Sequence, residues 1–171
     1  MDNGRILFAR YRGLVVLKLV GEIRYTVKGS YRVSVSFDAF LDKLFEERDF
    51  KNVLIDLTET TGIDSTNIGL LAKIARFTMD NFGQKPTIIS TNDDINRILD
   101  SVGFDQVFVI LHEPHNFDQE LEELPEMTVP DKELARLILD AHKALIELNE
   151  KNKNMFKNVV DVMEQSLRDK K

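Results

Sequence analysis

Apolar positions along the first two thirds of the chain alternate between two patterns. Short runs give way to longer stretches that repeat every three to four residues. Residues 5–9 and 14–20 are runs of the first kind, separated by the turn-like Arg10-Tyr11-Arg12-Gly13. The second run, LVVLKLV, is nearly all apolar, as a central strand is. Further strand-like runs fall at residues 53–57, 86–90 and 107–111. Between them, Phe37, Phe40, Leu41, Leu44 and Phe45 repeat at helical spacing and predict an amphipathic helix to about Arg48. Ser36 reads as its N-cap, with Asp38 in the first turn. Residues 25–35 alternate apolar and polar around Lys28-Gly29-Ser30, which fits a small hairpin or a partly ordered loop. A helix opens near Asp64-Ser65-Thr66 and closes at Gly83. A shorter one, capped by Thr91 or Asn92, runs over residues 93–101 and ends before Gly103. Strands alternating with helices predict an α/β fold, a mixed sheet with helices packed on one face.

The helix from Ser65 carries two apolar stripes. Ile68, Leu71, Ala72, Ala75, Met79 and Phe82 form one, which should face the sheet. Leu70, Ile74 and Phe77 lie nearly opposite, so either another part of the chain or a partner protein covers them. Residues 113–127 contain Pro114, Pro125 and an acidic run, and read as a linker between a domain at 1–112 and a helical extension at 128–171. Thr128, Pro130, Asp131 and Glu133 start that extension, and neither Pro nor Gly interrupts it afterwards. One helix of about 40 residues would reach about 60 Å. Leu134, Ile138, Ala141, Leu145, Leu148, Asn152, Met155, Val159 and Val162 keep heptad spacing along it, which predicts self-association, with Asn152 fixing register. A break within residues 149–154, giving two shorter helices that fold back, is the alternative.

Composition narrows the functional classes. A chain of 171 residues suits one domain with an appendage. The net charge of −6 argues against nucleic-acid binding, which asks for a basic stripe. The absence of cysteine removes thiol catalysis, disulfides and thiolate metal sites. No signal-peptide pattern opens the sequence and no apolar stretch reaches membrane-spanning length, so a cytoplasmic protein without membrane insertion is expected. No nucleophile with a base, convergent carboxylates or phosphate-binding glycine loop stands out. The expectation is a protein that is not an enzyme and needs no cofactor. His112, Glu113 and His115 are too few and too loosely spaced to predict a metal site.

The chemistry that does stand out lies where residues 53–57 lead through a polar turn into the helix at Ser65. Unpartnered N–H groups and the positive pole of the helix dipole favour a phosphate there. On spacing alone, Asp64 or Ser65 is also a plain N-cap. Asp56, ending its strand, would be the acceptor in a phosphorelay receiver. A receiver, however, needs an acidic pair after its first strand to hold Mg²⁺, and none follows Ala9.

The segment I-D-S-T-N-I-G-L-L, after a strand ending I-D-L, resembles the phosphorylation-site motif of STAS-domain anti-sigma-factor antagonists, D-S-[ST]-G-[LIV]-G-x-L. Asp64, Ser65, Thr66, Ile68, Gly69 and Leu71 match it, while Asn67 stands where many members have Gly. Gly21-Glu22-Ile23 resembles the family's G-E-[LIV]-D, with Arg24 in place of the Asp; an arginine there is either an exposed loop residue or a phosphate partner. The resemblance spans roughly residues 4 to 112. It extends to an HsbA-type subgroup through G-x-I-L-F-A, V-L-K-L-V-G-E, T-N-D-D-I-N-R-I-L and a tail like A-H-K-A-L-I-E-L-N-E-K-N. It implies a partner-switching protein that binds an anti-sigma factor when unphosphorylated. A serine kinase would modify Ser65, with Thr66 as rival acceptor, and a PP2C-type phosphatase would reverse this. Asp64, Thr66, Asn67, Leu70, Ile74 and Phe77 would contribute to the partner contact. In the subgroup, such switches are tied to motility and biofilm control.

Overall fold

The fold is given by a computed structural model, which describes residues 4–24, 31–117 and 119–169. Two antiparallel strands open it, β1 (Arg5–Tyr11) and β2 (Leu14–Ile23), followed by helix α1 (Tyr31–Glu47). Strands β3 (Asn52–Asp56) and β4 (Thr60–Ile63) lead into α2 (Ser65–Phe82). Then come β5 (Thr87–Ile89), α3 (Asp93–Ser101), β6 (Val109–Leu111) and β7 (Glu122–Glu123), and last α4 (Asp131–Ile146) and α5 (Glu150–Asp169). Among the described residues the sheet has seven strands in the order β6-β5-β3-β2-β1-β7, with β4 paired to the end of β2. It is mixed: β1 pairs antiparallel with both neighbours, and the other pairs are parallel.

The period of two along the strands builds the core. Ile6, Val15, Leu17, Leu19, Val53, Ile55, Leu57 and Ile88 are buried in one cluster with Phe37, Leu41 and Leu44 of α1 and Leu70, Leu71 and Ile74 of α2. Helix α1 begins earlier than Ser36. Val33, Phe37, Leu41 and Leu44 carry its buried repeat back to the first turn, and Ser34 and Ser36 are buried inside the helix. Of the hairpin expected at residues 25–35, positions 31–35 are helical and 25–30 lie outside the described residues.

Two strands come from segments read as turn and linker. Thr60–Ile63 extends the sheet beside β2, held by Gly21↔Thr60 and Ile23↔Ile63 pairing and by the Thr60 hydroxyl donating to the Leu19 carbonyl at 2.7 Å. Glu122 and Glu123 pair with Phe8 and Leu7 on the edge of β1, and the Leu124 N–H donates to the Ile6 carbonyl at 2.9 Å. Part of the acidic segment is therefore an edge strand; its backbone supplies the pairing and its glutamates stay exposed.

The extension is a helical hairpin, not one long helix. The break falls at residues 147–149. The Asn149 side chain accepts from the Asn152 N–H at 2.8 Å, capping α5. The Asn152 amide, fully buried, donates to the Val102 carbonyl at 2.9 Å and the Leu145 carbonyl at 3.0 Å, and Asn149 also donates to Val102. The elbow is thus pinned to the end of α3, and α4 runs back along α2.

Candidate functional site

The start of α2 is built by three local devices. The Asp64 N–H donates to the Ile23 carbonyl at 3.2 Å, tying the helix entrance to the end of β2. The Asp64 carboxylate caps the helix by accepting from the Asn67 N–H at 3.0 Å. At the far end Gly83 adopts φ 64°, a left-handed conformation that favours glycine, and its N–H returns to the last turn. Ser65 is therefore the first helical residue, and the cap is Asp64.

Asn67 has a structural task. It is completely buried; its amide donates to the Ile23 carbonyl at 3.1 Å and to Asp64 Oδ1 at 2.8 Å, and its oxygen accepts from the Ser34 hydroxyl at 3.0 Å. One side chain thereby joins β2, α1 and the α2 cap. A glycine at this position would leave these groups to find other partners. Buried in this way, Asn67 does not face a partner, which corrects the expectation for it. Thr66 is 1% exposed and its hydroxyl has no hydrogen-bond partner among the described residues, so a kinase reaches it only by unfolding this turn. Leu70 and Ile74 are also fully buried. Phe77, half-buried, stacks on Phe45 of α1 with centroids 4.3 Å apart, and meets Phe50 and Phe82. The second apolar stripe is therefore covered by the chain itself. These three residues belong to the core and its rim, not to a free docking surface, because α1 and the Phe50 loop occupy the space.

Ser65 faces α4. Its Oγ lies 2.9 Å from Nε2 of His142, a residue that is 5% exposed. The other ring nitrogen, Nδ1, lies 2.7 Å from the Ile138 carbonyl oxygen. A carbonyl only accepts, so in the neutral imidazole Nδ1 carries the proton and Nε2 accepts from the Ser65 hydroxyl. Phe156 of α5 packs edge-on against the ring, centroids 5.6 Å apart. One turn along, Gly69 lets the helices touch: a Cβ there would meet the Ala141 carbonyl oxygen and lie 2.5 Å from its carbon and 2.8 Å from its Cβ. Further on, Arg76 pairs with Glu147. A serine bonded to a histidine nitrogen is half of a nucleophile–base pair. Here, however, the orienting partner is the helix's own carbonyl and the ring is sealed between helices, which suits packing better than catalysis.

Charges around the helices are mixed. Lys73 of α2 pairs with Asp38 of α1 at 3.1 Å. Partial loss of solvent pushes the nearby Asp42 carboxyl up, the charges of Asp38 and Asp140 add to this, and Lys73 opposes it. Arg24 pairs with Glu22 at 2.8 Å and is largely exposed, the loop role that was one of its two readings. Asp56 is 3% exposed and its carboxylate accepts from the Thr58 N–H at 2.8 Å, a turn role in a closed setting unlike an open acceptor site. His112 Nδ1 lies 3.0 Å from the Ser90 carbonyl, and among the described residues no three His, Cys, Asp or Glu side chains gather as metal ligands. No helix among them is long and apolar enough to cross a membrane.

His142, Ala141 and Phe156 are the site residues that sequence reasoning missed. The available signal was a histidine beside the heptad position Ala141, in a helix otherwise made of apolar and charged residues.

No curated protein matches the chain. Among solved structures it is similar to the anti-sigma factor antagonist SpoIIAA in its unphosphorylated form, with a TM-score of 0.51 and 13% identity, over 64% of this chain and 89% of the other. The Bacillus cell fate determinant SpoIIAA in its phosphorylated form gives a TM-score of 0.49 at 13% identity, over 62% of this chain and 89% of the other. At that identity the likeness is one of fold. The STAS domain model matches residues 5–124, from β1 through the edge strand β7 and across the Asp64–Ser65 helix entrance, and by that match the chain belongs to the STAS domain family.

Proposed function

We propose that this protein is a cytoplasmic, non-enzymatic anti-sigma-factor antagonist whose choice of partner is set by phosphorylation of Ser65. The observation that carries this reading is the position of Ser65: the first residue of α2 in a STAS fold, half-buried beside the Asp64 cap, while its rival Thr66 is closed off. The similarity to the antagonist SpoIIAA supports the same role. In this reading the unphosphorylated form binds an anti-sigma factor and releases its sigma factor. A serine kinase transfers the γ-phosphoryl group of ATP to Ser65 Oγ, whose proton leaves, giving ADP. A PP2C-type phosphatase hydrolyses the ester, returning the hydroxyl and inorganic phosphate. The added charge of nearly −2 beside Asp64 weakens an apolar contact through repulsion and desolvation. The resemblance to HsbA-type antagonists makes motility and biofilm control the outputs to examine.

The test pairs phosphopeptide mapping with affinity capture by the Ser65→Ala and Ser65→Asp forms. The expected result is an acid-stable phosphate on Ser65, and an anti-sigma factor held by Ser65→Ala but absent from Ser65→Asp. Phosphate on Thr66 or Asp56 with Ser65 untouched, or identical partners for the two forms, overturns the reading.

A further inference from the structure

We infer that the α4–α5 hairpin is a lid over Ser65 that closes only on the free serine, so that lid closure and a phosphate on Ser65 exclude each other. This rests on the reading of Ser65 as phosphoacceptor. Three observations carry it. First, the lid holds the reactive atom: Ser65 Oγ–H donates to His142 Nε2 at 2.9 Å, and the other ring nitrogen is committed to the Ile138 carbonyl. An esterified Oγ has no proton to donate. Second, the space is filled. His142 is buried, Phe156 closes its ring, and Gly69 against Ala141 leaves no slack between α2 and α4. A phosphoryl oxygen inserted between Oγ and Nε2 with ordinary hydrogen-bond lengths would push the two apart by about 2 Å, even if His142 were protonated and attractive. Third, the lid has an attachment other than Ser65: its elbow is held at Val102 by Asn149 and Asn152, and Asn152 also donates to the Leu145 carbonyl of α4, so a hairpin released from Ser65 stays tethered to the domain.

The closed form is then a third state beside the two of a partner switch. The hydroxyl and the α2 face around Gly69 are withheld from kinase and partner alike, and any partner that uses this face competes with α4. The lid lies outside the STAS match, which ends at residue 124, so it is an addition to the domain.

Hydrogen-exchange mass spectrometry on the full chain tests this without a known kinase. Four forms are compared: Ser65, phosphoserine encoded at position 65 during translation, Ser65→Ala and Ala141→Arg. Phosphoserine should speed exchange over residues 134–145 by about tenfold or more, with β3 amides still protected. Ser65→Ala, which loses the hydrogen bond and leaves the buried Nε2 unpaired but keeps the helix contact, should speed it by less than phosphoserine does. Ala141→Arg alters only the lid and should expose α4 without phosphate. Phosphoserine leaving α4 as protected as in the free serine form overturns the inference, as does Ala141→Arg with wild-type α4 exchange. The two readings fail separately. Lid release by phosphoserine with unchanged partners between Ser65→Ala and Ser65→Asp counts against partner switching and for the lid. A phosphate-dependent change of partner with unmoved α4 counts the other way.

Discussion

Gly69→Ala measures how closely α2 and α4 are pressed together. The added Cβ would lie 2.5 Å from the Ala141 carbonyl carbon, far inside van der Waals contact, and the atoms it meets belong to the α4 backbone, which cannot rotate away as a side chain can. Overpacking of this kind costs about 1–3 kcal/mol. Ala is also the better helix former, which returns about 1 kcal/mol to α2 whether or not α4 is docked. The two effects act on different equilibria. Docking of α4 should weaken by the full overpacking cost, a factor of about 5 to 150 at 1.4 kcal/mol per decade. Global stability should fall by less, about 0–2 kcal/mol, once the helix gain is subtracted. Hydrogen exchange reads the first quantity over residues 134–145, and urea denaturation reads the second. A Gly69→Ala protein that is more stable by about 1 kcal/mol, with α4 exchange unchanged, would falsify the tight packing, because it would show the helix gain without the clash.

Phe77→Ala should destabilise the fold by about 2–3 kcal/mol in chemical denaturation, below the about 3–5 kcal/mol of a fully buried phenylalanine because the ring is only half-buried against Phe45, Phe50 and Phe82; a cost under about 0.5 kcal/mol would return Phe77 to the list of free surface residues. Asp42→Asn should raise the melting temperature at pH 7. The Asp42 carboxyl is raised in the folded protein, so its ionisation favours the unfolded chain, and that penalty is present at neutral pH and relieved as pH falls. The advantage of the variant should therefore shrink towards about pH 4, and a pH-independent advantage would assign the effect to something other than this charge.

The parts of the fold that were legible are those where one residue class determines a geometry. LVVLKLV had to lie inside a sheet, and β2 does, with Val15, Leu17 and Leu19 buried towards the helices. Asp64 followed by Ser65, with Gly83 eighteen residues on, bounded α2 at both ends. What was hidden depends on backbone pairing or on distant partners. Thr60–Ile63 is polar enough to read as a turn, and its strand character comes from the open edge of β2 rather than from its own side chains. Glu122 and Glu123 pair through the backbone alone. The role of Asn67, where the family motif has Gly, is not legible locally because its partners, Ile23 and Ser34, lie 44 and 33 residues away. Leu70, Ile74 and Phe77 were read as an interface because the sequence does not say where α1 will pack.

The extension shows how part of a heptad pattern can be covered within one chain. On α4, which packs on α2 of the same chain, the buried apolar residues are Leu137, Leu139, Ala141, Ala144 and Leu145; of the heptad positions Ala141 and Leu145 are among them, while Leu134 and Ile138 are only partly covered. Past Asn152, itself a heptad position, the phase shifts by one residue. In α5 the covered positions are Asn152, Phe156, Val160, Met163 and Leu167, whereas the continued heptad, Met155, Val159 and Val162, points to solvent. A seam that ran straight through would have kept one phase along its whole length, as a coiled coil requires. The shift is what an intramolecular hairpin needs, since α5 must pack on α4 and the domain at the same time. Asn152 is consistent with this. A seam asparagine was expected to set register between chains, yet its amide donates to Val102 and Leu145 and sets the elbow instead. On the α4 face that meets α2, His142 lies against Ser65.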